Sequence, residues 1–88
     1  AAQAVRERLA GSASVVALAG TASGKATVIV ATTPEARDAG ARAGELAKRA
    51  SAVLGGGGGG KDDLAQGGGP TLELVGDALA SVREALRG

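Results

Sequence analysis

Apolar residues recur along this 88-residue chain in several rhythms, and each predicts an element. In residues 2–10, AQAVRERLA, positions Ala2, Val5 and Leu9 stand three and four apart. That is the spacing of one helix face, and Gly11 is placed as a glycine beyond a helix end often is. The segment therefore predicts the end of a helix. Residues 12–32, SASVVALAGTASGKATVIVAT, carry two β-branched runs, Val15–Ala19 and Ala26–Ala31, around the turn-rich stretch GTASGK. Such a pattern predicts a β-hairpin. The consecutive apolar residues of VIV predict a second strand covered on both faces.

Pro34 closes the strand region, and residues 38–54 return to a helical period. Ala39, Ala43, Leu46, Ala47, Ala50, Val53 and Leu54 form one apolar face, while Arg42, Glu45, Lys48 and Arg49 make the other locally basic. A last helix is predicted to open at Pro70, where proline is best tolerated. Its seam is Leu72, Val75, Leu79, Val82 and Leu86. The elements together predict one small α+β domain: an antiparallel hairpin packed on two main helices, with an N-terminal helix end.

Composition makes the expected core thin. Of 39 residues in the hydrophobic classes, 21 are alanine, leaving eight Val, one Ile and nine Leu for most of the packing. Helices and sheet must therefore approach closely over alanine. The absent residue types narrow the chemistry. With no Cys and no His, disulfides, thiolate nucleophiles and the common zinc and copper sites are excluded. Acid–base catalysis near neutral pH loses its best side chain. With no Phe, Tyr or Trp there is no aromatic platform for bases. Ten Lys and Arg against nine Asp and Glu leave a net charge of +1, too balanced for strong nonspecific binding to nucleic acid. No apolar run has the length of a membrane span, and no signal-peptide pattern opens the chain. Starting at Ala1 without any Met, the sequence is expected to be a piece of something longer.

Between the two helices lies LGGGGGGKDDLAQGGGP, residues 54–70, with nine glycines in seventeen positions. A flexible spacer fits poorly, because it would isolate one amphipathic helix from everything it could pack on. Gly55–Asp62 nearly matches a phosphate-binding loop, but Asp62 stands where a hydroxyl belongs and no strand precedes it. Asp62 and Asp63 are adjacent, so in an extended segment they would diverge rather than converge on a metal or a proton. Close approach to the backbone remains, in two compatible forms. The Gly58–Gly60 amides could form a nest for phosphate oxygens, with Lys61 as a point charge and Gln66 as donor and acceptor. The segment could also pack on the hairpin, with Leu64–Gln66 extended as a third strand.

GGGKDDLAQGGG, residues 58–69, resembles the glycine-rich motif of the DHH-associated domain at the C-terminus of alanyl-tRNA synthetases. That motif typically reads GGG-R-P-D-M-A-Q-A-GG. Gly58, Gly59, Gly60, Asp63, Ala65, Gln66, Gly68 and Gly69 match it, and Lys61 stands for Arg. Asp62 replaces the usual proline, Leu64 the methionine and Gly67 the alanine. AGELAKRASAVLGGGGG, residues 43–59, is similar to the family's AGELV-type helix running into glycines, and Gly24–Lys25 fits its hairpin turn.

The resemblance covers about residues 12–87 and implies a DHH-associated domain over 12–88, with 1–11 as the end of a linking helix. It implies a cytoplasmic ATP-dependent ligase that charges alanine onto its tRNA, of which this is a non-catalytic part without a cofactor. Implied partners are tRNA at its elbow, the rest of the synthetase chain and a second copy of the protein, with no membrane. The RNA-contacting residues it implies are Gly58, Gly59, Gly60, Lys61, Gln66, Gly68 and Lys25. Losing the proline at Asp62 is expected to loosen the loop. The same domain occurs as a substrate-binding tail in DHH-family phosphoesterases, where a His typically follows GGG; Lys61 holds that place here. A pure oligomerisation module is a third alternative.

Overall fold

The computed structural model describes residues 2–10 and 13–87. Five strands, β1 (Ala2–Ala10), β2 (Ala13–Ala22), β3 (Lys25–Thr32), β4 (Gly57–Gly60) and β5 (Leu64–Gly69), form one antiparallel sheet in the order β1-β2-β3-β5-β4. A short helix α1 (Pro34–Asp38) precedes α2 (Ala43–Val53), and a 3₁₀ turn (Leu72–Leu74) leads into α3 (Val75–Arg87). The two long helices cover one face of the sheet, α2 over β3, β5 and β4, and α3 over β1 and β2. On the other face, among the described residues, Leu18, Ile29 and Leu64 are exposed.

The predicted hairpin forms, and its turn is explained by two residues. Ala22 pairs with Lys25 across a two-residue loop, with Ser23 at φ 52° and Gly24 at φ 77°. Positive φ at both positions defines the mirror-image turn whose twist matches the flanking strands. The third strand also forms: Ala31 pairs with Leu64, Ile29 with Gln66 and Thr27 with Gly68.

Residues 2–10 are a strand, which corrects the expected helix end. Val5 and Leu9 stand four apart, a spacing that suits a helix face but equally suits alternate positions of a strand. What decides is non-local. Residues 2–8 pair in unbroken register with 20–14, Val5 opposite Ala17, and this covers an edge of β2 that would otherwise lie open. The expected stop at Gly11, and the boundary between residues 11 and 12, fall outside the described residues.

Three smaller expectations also change. The VIV strand is covered on one face only, with Val28 and Val30 fully buried and Ile29 outward. The helix predicted over 38–54 begins only at Ala43, and a separate short helix, α1, stands before it. Thr33 caps α1 by accepting from the Ala36 amide at 3.2 Å, and Gly40 at φ 98° turns the chain before α2 begins at Ala43. Pro70 precedes a 3₁₀ turn rather than opening α3, and Leu72 at the head of the predicted seam is exposed.

The core is as thin as the composition requires. Its largest fully buried side chains are Leu54, Val15, Val28, Val30, Val82 and Ser51. Leu46, Val75 and Leu79 are nearly as buried, and the remainder is alanine, including Ala43, Ala47 and Ala50 of α2 and Ala26 and Ala65 of the sheet.

Candidate nucleic-acid interface

The glycine segment is an ordered hairpin rather than a spacer. Gly57, Gly58, Gly59 and Gly60 pair with Gly68, Gly67, Gln66 and Ala65. The Lys61 amide donates to the Leu64 carbonyl at 3.1 Å and closes the turn over Asp62 and Asp63. That turn is anchored to its surroundings through its backbone. The Asp63 carbonyl accepts from the Thr32 amide at 3.0 Å. The Asp62 carbonyl accepts from the Ala43 amide at 2.9 Å and the Thr32 hydroxyl at 2.5 Å. The loosening expected from losing a proline at Asp62 is thus opposed by three hydrogen bonds. The two aspartates lie in a turn, not in an extended segment as the sequence suggested.

Several of the glycines are required by close packing, two of them beneath α2. A Cβ on Gly58 would lie 2.5 Å from Ser51 Oγ and 2.7 Å from Gly67 Cα. One on Gly67 would collide with the same hydroxyl, which donates to the Ala47 carbonyl at 2.6 Å. Gly68 lies against the Ala26 carbonyl and Gly69 against the Leu54 carbonyl, each closer than a side chain allows. A nest needs successive amides curled around one point. The Gly58–Gly60 amides instead belong to an extended, paired strand, so the nest expectation fails.

Four of the seven implied contact residues come together. Gly59, Gly60, Lys61 and Gln66 line a shallow open depression of about 620 Å³ on the uncovered side of the sheet, with Ile29, Asp63, Leu64 and Ala65. Lys61 and Gln66 are exposed. Gly58 and Gly68 are occupied by packing. Lys25 lies elsewhere: it starts β3 six residues from Ala31, the partner of Leu64, which at ~3.3 Å per residue places it about 20 Å from the Lys61 end.

The exposed basic face of α2 is on the helical side of the molecule, away from this depression. There Arg42, Glu45, Lys48 and Arg49 border a groove of about 560 Å³ floored by Leu46, Ala85 and Leu86. Ile29 and Leu64, which sequence reasoning did not name, line the open-face depression. Their outward side chains follow from strand parity once β3 and β5 are set in register, a relation no single segment reveals.

Comparison with known proteins agrees with this arrangement. The DHHA1 domain family matches residues 1–88. An alanine–tRNA ligase of Clavibacter michiganensis subsp. michiganensis is 68% identical over 82 residues, covering 93% of this chain and 9% of that protein. One from Leifsonia xyli subsp. xyli is 58% identical over the same shares. The chain thus spans about 9% of the length of these relatives. Among solved structures, the C-Ala domain of Aquifex aeolicus alanyl-tRNA synthetase superposes with a TM-score of 0.73 at 34% identity, over 80% of this chain and 62% of that one. With the whole sequence matched and the architecture shared, the chain belongs to the DHHA1 domain family, in the form that alanyl-tRNA synthetases carry.

Proposed function

We propose that this domain is an RNA-contacting, non-catalytic part of a cytoplasmic alanine–tRNA ligase. It would hold the tRNA elbow and so assist aminoacylation and editing by the complete enzyme. The observation that carries this reading is the depression on the open sheet face. It brings Lys61 and Gln66 together beside bare backbone at Gly59 and Gly60, on a turn pinned to α2. Its similarity to the ligases supports tRNA as the partner. A single lysine on a near-neutral domain predicts weak binding, with Kd on the order of 10⁻⁴ to 10⁻⁶ M at physiological salt.

The test is a titration of the 88-residue chain with full-length tRNA at several salt concentrations. Saturable binding that weakens with salt supports the proposal. No binding at the upper end of that range, with the domain folded, refutes it.

A further inference from the structure

Resting on that RNA-contacting reading, we infer that the depression beside Lys61 is a nucleobase subsite, with Ile29 and Leu64 as its apolar floor and Gly59 as its wall. Ile29 on β3, Gln66 on β5 and Gly59 on β4 stand in register across three strands, all on the open face. Leu64, two residues from Gln66, faces the same way. Leu64 is 57% exposed and Ile29 38%, in a chain with only eighteen aliphatic residues larger than alanine. Exposing two of them side by side in a depression takes them away from a core that has few.

The polar groups around this floor choose the occupant. Lys61 is a cation, Asp63 a carboxylate and Gln66 an amide with both donor and acceptor. A bare phosphate would be attracted by the first and repelled by the second. A nucleobase suits all of them. Its planar face packs on aliphatic carbon, its edge offers donors and acceptors to Gln66 and Asp63, and its own phosphate carries the charge for Lys61. The volume of about 620 Å³ is ample for one base and its sugar.

Gly59 supplies an independent line. A Cβ there would meet nothing within 4 Å, and its backbone is not in the left-handed region. Packing therefore gives no reason for glycine at this position, unlike Gly58; the same holds at Gly57, but of the two only Gly59 lines the depression. Glycine weakens a strand and marks places where a ligand approaches the backbone closely. At Gly59 the absent side chain keeps the wall of the depression low.

The chain has no Phe, Tyr, Trp or His, so it contains no side chain able to generate a ring current. A ring-current shift of the Ile29 and Leu64 methyl resonances on adding full-length tRNA can therefore come only from the bases of the RNA. The experiment is a methyl NMR titration of the 88-residue chain, paired with tRNA affinities and melting temperatures of Gly59→Val. The expected result is an upfield shift at both residues. Gly59→Val should melt no lower than wild type yet bind tRNA roughly tenfold more weakly, with an unchanged salt slope. If both methyl groups stay in place and Gly59→Val binds normally, while the Lys61 amide responds to tRNA, the subsite is overturned and RNA contact survives. If tRNA neither binds nor moves any resonance, the RNA-contacting reading falls, and the subsite with it.

Discussion

Ser51 of α2 rests directly on Gly58 of β4: a Cβ built on that glycine would lie 2.5 Å from the serine hydroxyl oxygen. The contact explains why glycine persists where a strand would otherwise prefer β-branched residues. Gly58→Ala should destabilise the domain by about 1–3 kcal/mol, the usual range for overpacking. Combining it with Ser51→Ala should recover only part of the loss, because the 2.7 Å approach to Gly67 Cα remains. Urea denaturation of the two single variants and the double variant measures this coupling directly. Full additivity would mean that the two residues do not press on each other.

Gly57, one residue away, should behave in the opposite manner. A Cβ there meets nothing within 4 Å. Gly57→Thr removes the entropy of an unfolded glycine and adds a residue that favours strands. It should raise stability by about 0.5–1 kcal/mol in the same denaturation experiment. The opposite signs at neighbouring glycines would separate close packing from simple tolerance.

The β2–β3 turn offers a local test of backbone geometry. Gly24 sits at φ 77°, so Gly24→Ala should cost roughly 1–2 kcal/mol, the strain of an L-residue in the left-handed region. Ser23 at φ 52° bears a similar strain already, and asparagine tolerates that region better. Ser23→Asn should therefore stabilise the hairpin, by a few tenths of a kcal/mol. Thermal melts of both variants suffice.

How much of this was legible in the sequence depends on the range of the interaction that decided each element. The hairpin, the polar face of α2 and the buried stretch Val75–Leu79–Val82 are set by local alternation and local turn chemistry, and they fold as the pattern predicts. In residues 2–10 only the Val5 and Leu9 spacing fits both periods, so pairing with the edge of β2 settles them as a strand. Gly57–Gly60 has no side chains and hence no period to read; the strand follows from its ladder with β5. The motif that carries the family resemblance names Lys61 and Gln66, which border the depression, and Gly58 and Gly68, which lie in close packing. A glycine required for packing and one required for a ligand look identical in sequence.

The separation of the two lysines gives the last prediction. Lys61 borders the depression, whereas Lys25 lies about 20 Å along β3, beyond the roughly 10 Å screening length at moderate salt. If RNA is held at the depression, Lys61→Ala should weaken tRNA binding at every sequence and make the dependence of log K on log salt shallower, by up to roughly one unit. Lys25→Ala should leave both quantities as they are in wild type. Both lysines are exposed, so neither substitution should disturb folding, and circular dichroism controls for it. Filter binding or fluorescence anisotropy at four or more salt concentrations yields affinity and slope together. Equal effects from the two variants would indicate a contact running the length of the open face. An effect from Lys25→Ala alone would move the RNA to the β2–β3 turn, and the glycine hairpin would then be an element of packing only.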